Sequence, residues 1–95
     1  MNTRPPNRTF DVFIRRKTLG AIEKLPLNVQ NKVKLLVDDL KEKGPYLAHW
    51  KNFRKLGPNR YHCHLGYHWV ACWLWFDNQL IIEVYHVGSR ENAPY

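Results

Sequence analysis

The sequence predicts an α+β domain in which two N-terminal helices pack against a twisted, mostly antiparallel, four-stranded sheet. Two observations carry this prediction. Apolar residues with helical spacing are confined to the first half of the chain, and short runs rich in aromatic and β-branched residues fill the second half. The length agrees, because 95 residues can bury one hydrophobic core but not two.

The chain opens with a tail, a short strand and a short helix. Residues 1–8 are polar and hold two prolines, so we expect a flexible tail before a single domain of residues 9–95. Alternating apolar residues predict a strand over Thr9–Ile14. Apolar residues at three-residue intervals then predict a helix over Arg15–Leu25, which Pro26 ends.

The second helix has the clearest pattern. Valines and leucines recur at i, i+4, i+7, i+8 and i+11 and predict a helix over Leu27–Lys43. Lys41 and Lys43 fall in its last turn, where cations suit the negative end of the helix dipole. Gly44 and Pro45 follow as a stop signal.

The second half reads as a connection followed by strands. Tyr46–Asn59 has a mixed composition and is expected to connect the helices to the sheet. Strands are predicted over Tyr61–Leu65, Trp69–Phe76 and Gln79–Val87. The intervening Asp77-Asn78 pair predicts a tight hairpin turn between the last two strands.

Composition excludes several classes of protein. The longest apolar run, Trp69–Phe76, covers eight positions where a membrane-spanning helix needs about 20, and the N-terminus lacks the apolar centre of a secretory signal, so we expect a soluble, cytoplasmic protein. Cys63 and Cys72 are interpreted as reduced core residues. The net charge of +7 favours a polyanionic partner, of which nucleic acid is the commoner kind.

The densest basic segment lies in the predicted connection and holds no acidic residue. Its cations are Lys51, Arg54, Lys55 and, just beyond it, Arg60. They could neutralise RNA phosphates while Trp50 or Phe53 stacks on a base. A solvated loop with two anchoring aromatic side chains is an equally good interpretation.

Two histidines on one strand could carry acid–base chemistry. Strand alternation places His62 and His64 on one face and Cys63 on the other. Two imidazoles on an exposed strand face can, near neutral pH, accept one proton and donate another. The alternative is a polar outer face whose histidines simply contact water. We expect no metal site, because Cys63 points away from both imidazoles and no partner spacing occurs elsewhere.

Several features in a fixed order resemble one known family. They are Leu25-Pro26, the helix ending at Gly44-Pro45, Lys55-Leu56, the Tyr-x-x-x-Leu-Gly strand at 61–66, and the run from Val87 to Tyr95. Over roughly residues 10–95 this arrangement resembles the RelE/ParE superfamily, the toxins of bacterial and archaeal toxin–antitoxin modules.

The resemblance implies a fold, an activity and partners. Such toxins have two helices packed on a twisted sheet, and RelE-like members cleave messenger RNA on the ribosome without a metal or other cofactor. The 2′-hydroxyl attacks the adjacent phosphate, which leaves a cyclic phosphate and a free 5′-hydroxyl. A cognate antitoxin protein, messenger RNA and the ribosome are the partners implied.

Carried over residue by residue, the resemblance implies a catalytic set. The positions that match are His62, His64, Arg90 and Tyr95, and His68 and His86 are further candidates for the same catalytic set. Arg90 would stabilise the phosphorane, although an ion pair with Glu83 or Glu91 is the alternative role. One of His62 or His64 would take the 2′-hydroxyl proton, and another histidine or Tyr95 would protonate the leaving oxygen.

Two of these positions carry open questions. His86 either joins the catalytic cleft or is a satisfied core histidine. Where RelE-like members carry an arginine in the strand after the hairpin turn, this chain aligns Trp69, with His68 one residue earlier. Either the turn is shifted so that His68 takes the role of that arginine, or the site is weaker or differently organised.

Two other functions within the superfamily stay open. One is the ParE type of toxin, which binds and inhibits DNA gyrase and needs no proton transfer by histidines. The other is a catalytically decayed relative that retains only antitoxin binding. The histidine-rich strand favours the nuclease, since ParE-type chains do not need it.

Overall fold

The computed structural model describes residues 9–76 and 79–95, so the predicted tail of residues 1–8 and the predicted turn at Asp77-Asn78 lie outside it. The elements, in chain order, are β1 (Asp11–Ile14), α1 (Arg16–Ile22), α2 (Leu27–Lys43), β2 (Arg54–Gly57), β3 (Arg60–His64), β4 (Trp69–Phe76), β5 (Ile81–Ser89) and a 3₁₀ turn (Arg90–Asn92). The domain is therefore α+β, as predicted.

The sheet has five strands in the order β1-β5-β4-β3-β2. β1 runs parallel to β5, and the other three pairs are antiparallel. The prediction of four strands was wrong, because β2 lies inside the segment interpreted as a connection. This strand is short and basic, and it lies at the sheet edge, where charged side chains are common. It lacks the apolar alternation on which the strand predictions relied.

The helical stripe of α2 packs on one face of the sheet. Its buried residues, Val29, Val33, Leu36 and Leu40, are those at i, i+4, i+7 and i+11 of the predicted pattern. Trp73 lies fully buried beneath them, and its indole N–H donates a 3.0 Å hydrogen bond to the carbonyl of Pro45. The Gly44-Pro45 stop is thus tied to the central strand as well as ending the helix.

Helix α1 is shorter than predicted and anchors a β-bulge. It ends at Ile22, and a turn rather than a helix carries the chain to Leu25. The Thr18 hydroxyl donates a 2.8 Å hydrogen bond to the carbonyl of Tyr85. Residue pairing steps from Cys72↔His86 to Trp73↔Val84, which leaves Tyr85 as the extra residue of β5.

The bulge reverses the alternation of β5. Val84 and Val87 both belong to the core cluster, although they are an odd number of residues apart. His86 is therefore placed on the opposite face from Val84, whereas simple alternation would put the two side chains together.

No helix among the described residues is long and apolar enough to span a membrane.

We predict that the packing of α2 dominates stability. Leu36→Ala should lower the free energy of unfolding by about 2–5 kcal/mol, because Leu36 is fully buried in the core. Leu35→Ala is the matched control on the same helix, since Leu35 is 60% exposed and should change stability by less than about 1 kcal/mol. Urea denaturation measures both, and equal losses would contradict this packing.

Candidate active site

The candidate site lies on the sheet face opposite α2, which we call the open face. Strand pairing sets four side chains in a row across it: Arg54 on β2 pairs with His62 on β3, His62 with Cys72 on β4, and Cys72 with His86 on β5. The core cluster on the other face includes Cys63 but not Cys72 or His62. The predicted separation of Cys63 from the two strand histidines is therefore observed.

The chain after β5 folds back over this row. Pro94 borders a cleft together with Tyr85 and His86. The ring of Tyr95 then stacks on the ring of His62, with centroids 4.5 Å apart and planes 24° apart. The C-terminal segment thus crosses from β5 to β3 and covers the middle of the open face.

His62 is buried by this contact. His62 is only 4% exposed, whereas Tyr95 is 54% exposed. Burial, followed by the charges of His64 and Arg54, lowers the pKa of His62. Its Nδ1 has no hydrogen-bond partner among the described residues. The expectation of two imidazoles on an exposed strand face therefore fails for His62, because Tyr95 shields it from water.

His64 is the more accessible of the pair. Its ring centroid lies 5.9 Å from that of His62, and its backbone N–H donates a 2.8 Å hydrogen bond to the carbonyl of Lys51. Burial, then the charges of Arg90 and Lys51, lower the pKa of His64, which favours a neutral imidazole at neutral pH. The Asn52 amide lies 3.3 Å from Nδ1, and because an amide offers both a donor and an acceptor it can orient the ring.

A polar cleft of about 480 Å³ opens over these side chains. Its lining consists of Asn52, Phe53, Arg54, His62, His64 and Tyr95. We call it the histidine cleft. Its titratable side chains are a guanidinium, two imidazoles and a phenol, and none of its side chains is a carboxylate, so they favour an anion. Burial raises the pKa of Tyr95, against the opposing charges of Arg90 and Arg54, which keeps the phenol protonated.

Arg90 does not line the histidine cleft, but its charge acts on two residues that do, His64 and Tyr95. Its backbone N–H donates a 2.8 Å hydrogen bond to the carbonyl of His68, and its guanidinium lies 6.0 Å from the ring centroid of Tyr67. Glu83 instead binds Arg15 through two 3.1 Å hydrogen bonds. Among residues 9–76 and 79–95, Arg90 has no carboxylate partner, so neither of the predicted ion pairs forms.

The other predicted catalytic residues lie outside the histidine cleft. His68 is exposed in the β3–β4 turn and contacts the edge of Tyr67. His86 is separated from His62 by Cys72 and borders a different cleft of about 310 Å³. Burial lowers the pKa of His86, and its Nε2 has no hydrogen-bond partner within the described ranges. His86 is therefore neither a member of the histidine cleft nor a satisfied core histidine.

The predicted RNA-binding cations divide between several places. Arg54 lines the histidine cleft, and Lys51 is close enough to lower the pKa of His64. Arg60 lies near Tyr85, to whose phenol it is hydrogen bonded. Lys55 pairs with Tyr61, so strand alternation places its side chain on the opposite face from Arg54.

The thiols and Trp69 contribute no reactive group. Burial raises the pKa of Cys63 and of Cys72 to about 12, so both stay as thiols. Trp69 packs against the core, and its neighbour Val70, which pairs with His64, is fully buried. Within the part of the chain that the structure describes, no three His, Cys, Asp or Glu side chains converge as a metal site.

Sequence reasoning missed two residues of the open face. Asn52, which orients His64, stands in a turn at φ +53°, and an Asn within a Lys-rich segment is the signal that could have pointed to it. Tyr85 contacts Cys72 and Arg60 on the open face. Nothing in the apolar run around Tyr85 signals the bulge.

Comparisons with solved structures identify the fold. A chain of the archaeal RelE–RelB complex from Pyrococcus horikoshii OT3 superposes with a TM-score of 0.73 at 18% identity, over 90% of this chain and 100% of that chain. A mutant of the E. coli toxin RelE in the free state gives 0.71 at 17% identity, over 90% and 88%. A chain of the E. coli DinJ–YafQ toxin–antitoxin complex gives 0.68 at 14% identity, over 93% and 100%.

The fold is therefore that of the RelE-like toxins, and the resemblance inferred from the sequence is confirmed at this level. No protein-family model and no curated protein matches the sequence. At identities of 14–18%, these similarities show a shared fold.

We predict that the buried imidazoles make the protein less stable in acid. The folded pKa of His86 is lowered below its usual 6.5, so as the pH falls through 6.5 the unfolded chain binds a proton that the folded chain resists, and the free energy of unfolding falls. His86→Leu should reduce this fall between about pH 7.5 and pH 5, measured by urea denaturation.

The matched control for this prediction is His68→Leu, which removes an exposed imidazole. An acid-induced loss of stability that is the same in His86→Leu as in the wild type would contradict the role of His86.

Proposed function

We propose that this protein is the toxin of a type II toxin–antitoxin system and acts on the ribosome as a metal-independent endoribonuclease that cleaves messenger RNA. The observation that carries the proposal is the histidine cleft. There the half-exposed, neutral His64 lies between cations, beside a protonated phenol, in a fold shared with RelE-like toxins.

His64 is the general base of the proposed reaction. An imidazole must be neutral to accept the 2′-hydroxyl proton, and the charges of Arg90 and Lys51 act with burial to keep it so. The deprotonated 2′-oxygen attacks the adjacent phosphorus. His62 is less suited to this step, because the Tyr95 ring covers it.

Arg90 and Arg54 stabilise the charge that develops on the phosphorane. Arg90 has no carboxylate to neutralise it among the described residues, and its charge acts on both His64 and Tyr95. Arg54 lines the histidine cleft. A preorganised cation aimed at the developing charge costs no reorganisation during the reaction. In the proposed reaction these two guanidiniums supply the positive charge that stabilises the phosphorane.

Tyr95 is the general acid. The bond between phosphorus and the 5′-oxygen breaks, and that oxygen takes the phenolic proton, which leaves a cyclic 2′,3′-phosphate and a 5′-hydroxyl. His62 acts as a positioning residue, since its ring supports the Tyr95 ring at 4.5 Å. Proton transfer from the protonated His64 to the Tyr95 phenolate by way of water restores the starting state.

A cognate antitoxin is the proposed protein partner. The similar structures include the RelE–RelB and DinJ–YafQ complexes. The net charge of +7 suits an acidic partner segment. Positioning of the message by the ribosome would supply part of the orientation that a small open cleft does not.

We predict that His64→Ala and Arg90→Ala each slow cleavage at least about 100-fold, because they remove the base and the phosphorane cation. The assay uses defined message, free and on stalled ribosomes, in EDTA, with mapping of the fragment ends. Arg16→Ala is the matched control for Arg90→Ala, since it removes an exposed guanidinium on α1.

Fragments with cyclic phosphate and 5′-hydroxyl ends support the proposal. Intact message in both samples would overturn it. Accumulation of relaxed DNA on expression would then indicate gyrase inhibition, and its absence together with retained antitoxin binding would indicate a decayed relative.

We predict that Tyr95→Phe slows cleavage by about 10²–10⁴-fold while the protein keeps its fold, since it removes the proton donor but keeps the ring over His62. Single-turnover kinetics at saturating substrate isolate the chemical step. A Tyr95→Phe rate equal to that of the wild type would remove Tyr95 from the acid role.

A further inference from the structure

A second cleft, of about 300 Å³, adjoins the histidine cleft. Its lining consists of Lys32 from α2, His49, Trp50 and Lys51 from the α2–β2 connection, His64, and Gly66 from the β3–β4 turn. We call it the flanking cleft. His64 lines both clefts, so the two clefts meet at this side chain.

The flanking cleft has the charge of a phosphate site. Two ammonium groups, those of Lys32 and Lys51, border it, and none of its six lining residues is acidic. The Lys32 ammonium lies over Gly66, 4.0 Å from where a Cβ would stand, and Gly66 has a φ of +145° that side-chain-bearing residues rarely adopt. The turn therefore stays free of a side chain below the ammonium group.

The aromatic wall of the flanking cleft is held in place. The Trp50 indole N–H donates a 2.8 Å hydrogen bond to the Asp39 carboxylate, and His49 Nε2 lies 3.0 Å from the same oxygen. The Trp50 hydrogen bond is the main cause of the lowered pKa of Asp39, which Lys43 also contacts at 3.7 Å. With its carboxylate engaged in this way, Asp39 fixes both rings in advance of binding.

From these contacts we infer that the flanking cleft binds the nucleotide next to the scissile phosphate of single-stranded RNA. Its phosphate lies between Lys32 and Lys51, and its base stacks on Trp50. The inference rests on the proposed function, since it takes His64 as the reacting centre. It adds Lys32, a residue of α2 remote in sequence from the histidine cleft, to the substrate-binding surface.

The test compares two charge reversals on one helix. Lys32→Glu and Lys34→Glu change the net charge equally and both replace exposed residues, but Lys34 lines a groove between α1 and α2 instead of the flanking cleft. The probe is a short, fully 2′-O-methylated single-stranded oligonucleotide, which 2′-hydroxyl attack cannot cleave. Fluorescence anisotropy over a range of NaCl concentrations gives the affinity and its salt dependence.

We expect Lys32→Glu to weaken binding at least about fivefold more than Lys34→Glu and to reduce the slope of log K against log salt by about 0.7, the loss of one phosphate contact. Quenching of Trp50 fluorescence on binding, lost in Trp50→Phe, would report the stacked base. Equal weakening by both lysine variants, or no binding by the wild type, would overturn the inference.

The cleavage assay separates this inference from the nuclease proposal. If the wild type cuts ribosome-bound message while the two lysine variants bind alike, the proposed function stands and the flanking cleft is not a subsite. If binding depends on Lys32 but no message is cut, the cleft stands as a nucleic-acid site and the nuclease is excluded.

Discussion

The structure depends on a central strand that is buried on both faces. Val70, Ala71, Cys72 and Trp73 are consecutive in β4, and each is fully buried. Alternate residues of a strand point to opposite faces, so both faces of the sheet must be covered here. Helix α2 covers one face with leucines and valines. On the other face the cover comes from side chains of β3 and β5 and from the segment that ends at Tyr95.

This second cover sets the electrostatics of the open face. Histidines in place of aliphatic residues make it titratable, and burial lowers the pKa of His62, His64 and His86 alike. Cations at the cleft edge act in the same direction on His64. A neutral imidazole can accept a proton while the neighbouring cations keep their positive charge. A lysine cannot do both at once, because a lysine that is ready to accept a proton is neutral and supplies no charge.

The sequence predicted the parts of the fold that periodicity controls. The stripe of α2 and the bounds of β4 follow directly from apolar spacing. Strand β2 was missed because its Arg-Lys-Leu-Gly sequence carries no apolar alternation. The bulge at Tyr85 was missed because no local pattern marks it, and the Thr18 hydroxyl that bonds to the Tyr85 carbonyl is 67 residues away in the sequence. The shared face of His62 and His64 was predictable from alternation, but the stacking of Tyr95 on His62 was not, since it joins residues 33 positions apart by way of the chain's return over the sheet.

His64 owes its position to the irregular geometry at the sheet edge. Its strand ends there, and the connection that precedes β2 turns at Asn52 with a positive φ, so the Lys51 carbonyl meets the His64 N–H. That hydrogen bond draws the aromatic and basic residues of the connection to the end of β3. As a result the His64 imidazole borders both clefts, and backbone pairing at this edge sets where the two clefts meet.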